Sequence, residues 1–571
     1  MGWKLLLGAL FGSVILVACA GSATTSPASN NLPPSSNTAP TTALSTKGAS
    51  TTPESSSVQT PSDSVLSEGG TTGGTLVQLF RDPPTLDPHI TTDNISGAIV
   101  NEIFGGLVTL DPDLNIVQDL ASWEVSSDGT VYTFHINPEA KFHDGKKVTA
   151  KDVRWSLERA TDPLTQSPVA EQYLGDIVGV SAKINGEADT LAGVRVIDDQ
   201  TIELTIDAAK SYFLAKLTYP TGFILDRKNV ENEAGDWLRN PNGTGPFKLE
   251  QYDIGETLRL ARNEDYHLGA AFLDEVEFIL SGGTGMLMYE NDEIHITGVG
   301  LADLERVQDP SDRLYSDLHK APPAFNTSYV GMNVNEPPLD DPKVRQALNY
   351  AANKEAINMA VLNDLMVPAK GIIPPGFPSY NPDIRGYEYN PEKAKQLLSA
   401  STYGDNLDDM PLIILSISGS FGATVPLDLE VILQAWADLG IRVEIQQTEW
   451  ATFLQDVHQR RFQMFVLGWS ADYPDPHNFL DIMFHTDSVN NWGNYNNREV
   501  DSLLEKARVE PDQTARFQQY NLIEQLIVDD APWVPLWHST ERKVLVKPEV
   551  KDYFLLPMTI PKLRHVYITD N

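Results

Sequence analysis

Gly468-Trp469-Ser470-Ala471-Asp472-Tyr473-Pro474-Asp475-Pro476-His477-Asn478-Phe479-Leu480 follows FQMFVLGW, a short apolar and aromatic run that reads as a buried strand ending at Trp469. It leads into NFLDIMF, which reads as the start of a helix. Asp472 therefore lies just past a strand end. In an open α/β sheet, ligands bind in the crevice outside the carboxyl ends of strands, so a carboxylate there, next to a Trp, is well placed to meet a ligand cation. The same spacing is also ordinary turn chemistry, because an Asx side chain bonds its own backbone and Pro fixes φ. On spacing alone, both readings of Asp472 stand.

The pattern strand-Gly-Trp-x-Ala-Asp-Tyr-x-Asp-Pro-x-Asn-Phe resembles the signature segment of the extracytoplasmic solute-binding proteins of the peptide/nickel ABC transporter type. That resemblance implies that Asp472 takes the α-ammonium of a bound peptide, that Gly468 and Ser470 pair with its backbone, and that Trp469 is a pocket wall. Further blocks match in order. The strand GGTLVQLF and Leu86-Asp87-Pro88-His89 resemble the family's first strand and its ligand-contacting loop, which implies backbone hydrogen bonds from Thr92, Asp93 and Asn94. WEVSSDGTVYTFHI, Phe142-His143-Asp144-Gly145 and Thr149-Ala-Lys-Asp152 match its most recognisable block, and Asn242-Gly243-Thr244-Gly245-Pro246-Phe247 another. Read from the residues, Ser-Asp-Gly between alternating apolar runs is a hairpin and Thr149 to Asp152 a helix start. His89, His143 and Asp144 read as turn residues, and the Gly-rich loop lacks the Lys-Ser/Thr of a P-loop.

Composition narrows the classes. The 571 residues suggest two to four domains as a soft prior, and an apolar fraction of 41% with 21% charged residues is that of a soluble globular protein. After the first twenty residues no apolar run is long enough to span a membrane. A formal charge of -36 argues against nucleic acid, whose binding needs clustered Lys and Arg.

The opening MGWKLLLGALFGSVILVACA has one Lys, an apolar run and small residues around Cys19, the pattern of a secretory signal. Leu16-Val17-Ala18-Cys19 resembles a bacterial lipobox, which implies cleavage after Ala18 and lipidation of Cys19, the single Cys of the chain. From Ala20 to about Gly74 the sequence is Ser, Thr, Pro, Asn, Ala and Gly, too poor in large apolar side chains to offset its ordering entropy, and reads as a disordered tether.

The implied fold is α/β and periplasmic-binding-protein-like (type II, cluster C): two lobes, an extra small α/β domain, and a ligand cleft between the lobes that closes by hinge motion. The expected division is a signal peptide at 1–18, the tether at 19–72, lobe I at 73–110, the inserted domain at 111–190, lobe I again at 191–324, lobe II at 325–527 and a return to lobe I at 528–571. In lobe II, Asp341-Pro342 opens a helix with Val344, Ala347, Leu348 and Ala351 on one face. The βαβα alternation from LIILSISG to Trp450 predicts a parallel sheet, and APWVPLWHS is expected to rejoin lobe I.

No His-Glu-x-x-His, Gly-x-Ser-x-Gly, Cys cluster or P-loop is present, so neither an enzyme nor a cofactor or metal site is expected. His477 and His485 give two metal ligands at most, and Asp472 with Asp475 would be an isolated glycosidase-like pair. The reading is a lipid-anchored, exported, monomeric solute-binding protein that captures short peptides and hands them to ABC permease subunits, touching the membrane only through its anchor. The position two before Gly468 is Val466, where a basic residue for the peptide carboxylate would be expected, and Arg460 and Arg461 lie at a solvated helix end. A non-peptide solute (nickel complex, opine, oligosaccharide) and a non-transport sensor or chaperone-like lipoprotein are the alternatives.

Overall fold

The computed structural model describes residues 70–232, 236–404, 406–419 and 425–569; Cys19, the signal segment and the tether to residue 69 lie outside them. Two large mixed sheets organise the chain. Seven strands form the first, in the spatial order Leu318–Ala321, Arg542–Val546, Ile296–Gly298, Thr75–Leu79, Glu275–Ile279, Thr257–Arg262, Phe247–Asp253. Six form the second: Met366–Pro368, Trp533–Ser539, Asn326–Met332, Met464–Ser470, Ile413–Ser418, Val443–Thr448. Between the two large sheets the chain crosses twice, at residues 322–325 and 540–541, and the crossings run together because Ala321 pairs with Arg542 and Thr327 with His538.

The second sheet is not parallel throughout. Ile413–Ser418 pairs in parallel with Val443–Thr448 and Met464–Ser470, as βαβ connections require, but the other three ladders are antiparallel. Trp533–Ser539 is the cause, together with Asn326–Met332. Expected in lobe I, Trp533–Ser539 instead pairs with Asn326–Met332 and Met366–Pro368. Its side chains are buried on both faces from Trp533 to His538, which marks a central strand but does not say of which sheet; Arg542–Val546, after a two-residue connection, is the segment that returns.

A four-stranded antiparallel sheet, Ala121–Val125, Val131–Ile136, Thr201–Thr205, Val194–Val196, carries the small domain. Its core runs from Leu107 to Ile224, so the strands at 194–205 that were expected in lobe I belong here. The predicted hairpin at Ser127-Asp128-Gly129 joins the first two strands, and the helix Ala150–Ala160 starts with a capping box in which the Asp152 carboxylate accepts from the Thr149 N–H at 2.9 Å. In lobe II, Asp341 caps the helix Pro342–Ala351, and Val344, Ala347, Leu348 and Ala351 are buried.

Two of the motif blocks act together. His143 Nδ1 accepts from Gly243 N at 3.2 Å and its Nε2 lies 3.2 Å from Gly245 O, which fixes the Gly-Thr-Gly-Pro loop under the end of helix Asn94–Ile103. A Cβ on Gly243 would lie 2.1 Å from Ile103 O and one on Gly245 2.5 Å from Glu102 O, so only glycine admits this approach. At the same helix end, Glu102 Oε1 accepts from the N–H of Lys562 (2.9 Å) and Leu563 (3.1 Å).

Candidate ligand-binding site

A cavity of about 1050 Å³, its open mouth included, is lined from the first lobe by the loop before helix Asn94–Ile103, from the small domain by Val169 and Tyr173, and from the second lobe by the end of strand Met464–Ser470. Asp472, Gly468, Trp469 and Ser470 all line it, as do Thr92, Asp93 and Asn94. The two groups of candidate residues, more than 370 positions apart in the chain, therefore meet in one place.

The loop at Thr92 is held from behind. Arg159 forms a two-pronged ion pair with Asp87, at 2.6 and 3.1 Å, and its Nη1 sits 2.9 Å from Nδ1 of His89. His89 is a buried structural residue; burial lowers its pKa to about 4. Asp93 is the N-cap of the helix, its Oδ1 accepting from Ile95 N (3.0 Å) and Ser96 N (3.1 Å).

Across the cavity, Asn478 organises the turn at Asp472. Its Oδ1 accepts from Asp472 N and from Trp469 Nε1, both at 3.1 Å, while its Nδ2 donates to Asp472 Oδ2 at 3.1 Å. Tyr173 of the small domain donates its hydroxyl to the same Oδ2 at 2.5 Å. Oδ1 of Asp472 has no hydrogen-bond donor among the described residues, and no Lys, Arg or His nitrogen among them lies within 4 Å of the carboxylate. Burial without a cation raises its pKa to about 6, against the opposing pull of the Tyr173 and Asn478 hydrogen bonds.

Asp475 is a different kind of residue. Arg516 grips it with two hydrogen bonds, at 2.6 and 2.8 Å, so it is not half of a catalytic pair with Asp472. His477 Nδ1 lies 2.7 Å from the Tyr473 hydroxyl and its ring stacks on Tyr212 at 4.0 Å. Its pKa is lowered to about 3 by burial. Arg460 and Arg461 are exposed, bonded to Ser488 O (2.8 Å) and Asp456 (2.6 Å).

Strand Met464–Ser470 is paired along one edge from Met464 to Ser470, but its other edge meets Ile413–Ser418 only at Met464 and Phe465. From Val466 to Ser470 the second edge has no strand partner among the described residues. Gly468 leaves room: an added Cβ would meet nothing of the protein nearer than 3.7 Å.

The arrangement is matched by known proteins. Residues 115–491 fit the family described as bacterial extracellular solute-binding proteins, family 5 Middle. The chain is a family 5 solute-binding protein. A family 5 solute-binding protein binds and carries a solute; it is not an enzyme. It is 30% identical to the dipeptide-binding protein of Escherichia coli K12 over 76% of this chain and 83% of that one, and 30% identical to heme-binding protein A of Haemophilus influenzae over 76% and 81%. Among solved structures it resembles the murein tripeptide binding protein MppA of Escherichia coli, with TM-score 0.78 and 26% identity over 89% of this chain and all of that one. The unliganded open form of MppA, covering 89% and 99%, matches at only 0.63. The periplasmic binding protein DppA of Helicobacter pylori in complex with peptide STSA matches at 0.76, with 27% identity over 88% and 99%. These neighbours fix the fold of this family 5 protein as the two-lobed periplasmic-binding type.

Sequence reasoning had no signal for Tyr173 and Tyr219, whose rings stack at 3.8 Å, or for Trp450, His458, Asn490 and Trp492 as lining residues. Each is a single aromatic or polar residue in an ordinary stretch. Asn478 was within the quoted segment, and its spacing of six from Asp472 is the mark of the turn it holds.

Proposed function

We propose that this protein is the lipid-anchored binding component of an ABC importer, which captures short peptides in extended form in the cavity and delivers them to membrane permease subunits. The observation that carries the reading is the Asp472 carboxylate, enclosed without a cation at the end of an unpaired strand edge. A peptide supplies both missing partners. Its α-ammonium pairs with Asp472 Oδ1, and its backbone adds along Val466 to Ser470 as a further strand, which gives affinity that ignores side-chain identity. Gly468 and Ser470 provide that backbone, Trp469 forms the wall, and Thr92, Asp93 and Asn94 supply hydrogen bonds from the opposite lobe. The names of the dipeptide- and tripeptide-binding relatives support the same ligand class. The lipobox-like Leu16 to Cys19 supports an anchored, extracytoplasmic location, with the segment to residue 72 as tether.

The test is native mass spectrometry of the protein as purified from about Gly73, with release and identification of copurified ligand. Expected is a heterogeneous ladder of short peptides, with Asp472→Asn weakening binding by about 30-fold or more, the lower end of the cost of truncating one partner of an enclosed charge pair. A single non-peptide compound would instead favour the second reading, a non-peptide solute, to which the relative named for heme lends support.

A further inference from the structure

The cavity holds one kind of charge only. Among its lining residues Asp93 and Asp472 are acidic and none is Lys or Arg. Between residues 70 and 571, the stretches outside the described ones (233–235, 405, 420–424, 570–571) contain no Lys or Arg either. A ligand carboxylate enclosed here would lose its water without gaining a cation, and would face two other carboxyl groups.

The lining of the cavity carries a second set of unmet needs. Trp492 is 6% exposed and Asn490 1%, yet Trp492 Nε1 and Asn490 Oδ1 have no hydrogen-bond partner. Trp450 Nε1 and His458 Nε2 are buried and unpartnered too, and all four residues line the cavity. The rings hold one another in place: His458 and Trp469 meet Trp492 edge to face, with centroids 5.4 and 6.0 Å away. Leaving a buried donor or acceptor unmet is costly, and these four atoms are shut off even from water in this arrangement, so a ligand in the cavity completes them only with a small shift of the rings around them.

Their chemistry is neutral. Two indole N–H groups are donors, Asn490 Oδ1 is an acceptor and His458 Nε2 is either according to its tautomer, which suits a peptide unit offering C=O and N–H. A carboxylate could accept from the indoles but would leave Asn490 Oδ1 unmet and add a third negative charge. We infer that the cavity is built for an amine followed by uncharged amide units, and that it excludes the ligand's own carboxylate: the ligand is a peptide that either ends in an amide or is long enough to keep its carboxyl terminus outside. Trp450, Trp492 and Asn490 are the residues that set this preference. The inference rests on the reading of Asp472 as the ammonium partner.

The test is competition, followed by native mass spectrometry at pH 7.5, between an equimolar mixture of tripeptides with free carboxyl termini and the same mixture as C-terminal amides. Expected is enrichment of the amides by about tenfold or more, the equivalent of one well-made or one spoiled polar contact. Trp492→Phe, which removes the N–H together with part of the buried ring and so also costs packing, is expected to lower amide retention several-fold when wild type and variant are compared well below their melting temperatures. Free acids retained as well as or better than amides, with both lost in Asp472→Asn, would overturn this inference and leave the ammonium reading intact. Retention by the wild-type protein of neither set, and of no member of a mixture of longer free-acid peptides offered in the same way, would overturn both.

Discussion

Asp472 Oδ2 is satisfied from two sides, by Tyr173 and Asn478, while Oδ1 has no donor among the described residues. Its pKa of about 6 makes the consequence measurable. Pairing with an ammonium requires the ionised carboxylate and the protonated amine, so affinity for a peptide is expected to be highest near pH 7, to fall roughly tenfold by pH 5 as the carboxylate takes up a proton, and to fall again above about pH 8 as the α-amino group gives one up. Isothermal titration across that range checks it, and Asp472→Asn should show no fall on the acid side. For the ligand-free protein the sign is opposite: a folded pKa raised above the ordinary 3.8 makes this residue a growing burden on stability as pH rises from there through about 6. The position of Asp472 was legible because strand, turn and helix are local patterns. Its isolation from cations was not, because that depends on where Arg516, four positions into its helix, spends its charge: on Asp475.

Glu524 does for the site's scaffold what Asn478 does for its turn. It projects from helix Gln513–Asp530, and its Oε1 accepts from the N–H of Ile372 (2.7 Å) and Ile373 (2.9 Å), while its Oε2 is buried without a partner. Ile372 O in turn accepts from Thr327 Oγ1 at 2.7 Å, and Thr327 is the strand partner of Trp469. Burial raises the Glu524 pKa to about 7, only partly countered by the two N–H groups. The folded protein therefore holds this proton more tightly than the unfolded chain, and the stability it confers is present below about pH 4.5 and lost as pH rises through about 7. Glu524→Gln keeps an acceptor and cannot ionise; it is expected to melt higher than the wild type at pH 8 and to lose that advantage at pH 5, as differential scanning fluorimetry would show. At this scale, helix caps such as Asp341 and Thr149 were readable because their partners lie within a few residues. The sheet that takes Trp533–Ser539 was not, since a strand buried on both faces matches any sheet interior.

The small domain and the second lobe meet directly. Tyr173 reaches Asp472 across 299 positions of chain, Tyr212 stacks on His477, and one apolar cluster contains Leu110, Val169, Tyr173 and Ala215 together with Phe453, Trp469 and Trp492. Tyr173→Phe removes the hydrogen bond between the small domain and the second lobe and leaves the ring in place. Small-angle scattering of the ligand-free variant is expected to give a larger radius of gyration than the ligand-free wild type; equal radii would show that the bond does not hold the lobes together. The paired crossings at 322–325 and 540–541 bear on something other than closure. Arg542–Val546 sits inside the first sheet, between Ile296–Gly298 and Leu318–Ala321, and Glu102 is bonded to Lys562 and Leu563. The half of the molecule that is synthesised first is thus finished by residues synthesised among the last, and contacts of such long sequence separation form slowly. Until then this sheet lacks its second strand, and the edge strand Leu318–Ala321 has no neighbour in it. No local contact can complete it, so the folding of the first sheet waits on nearly the whole chain.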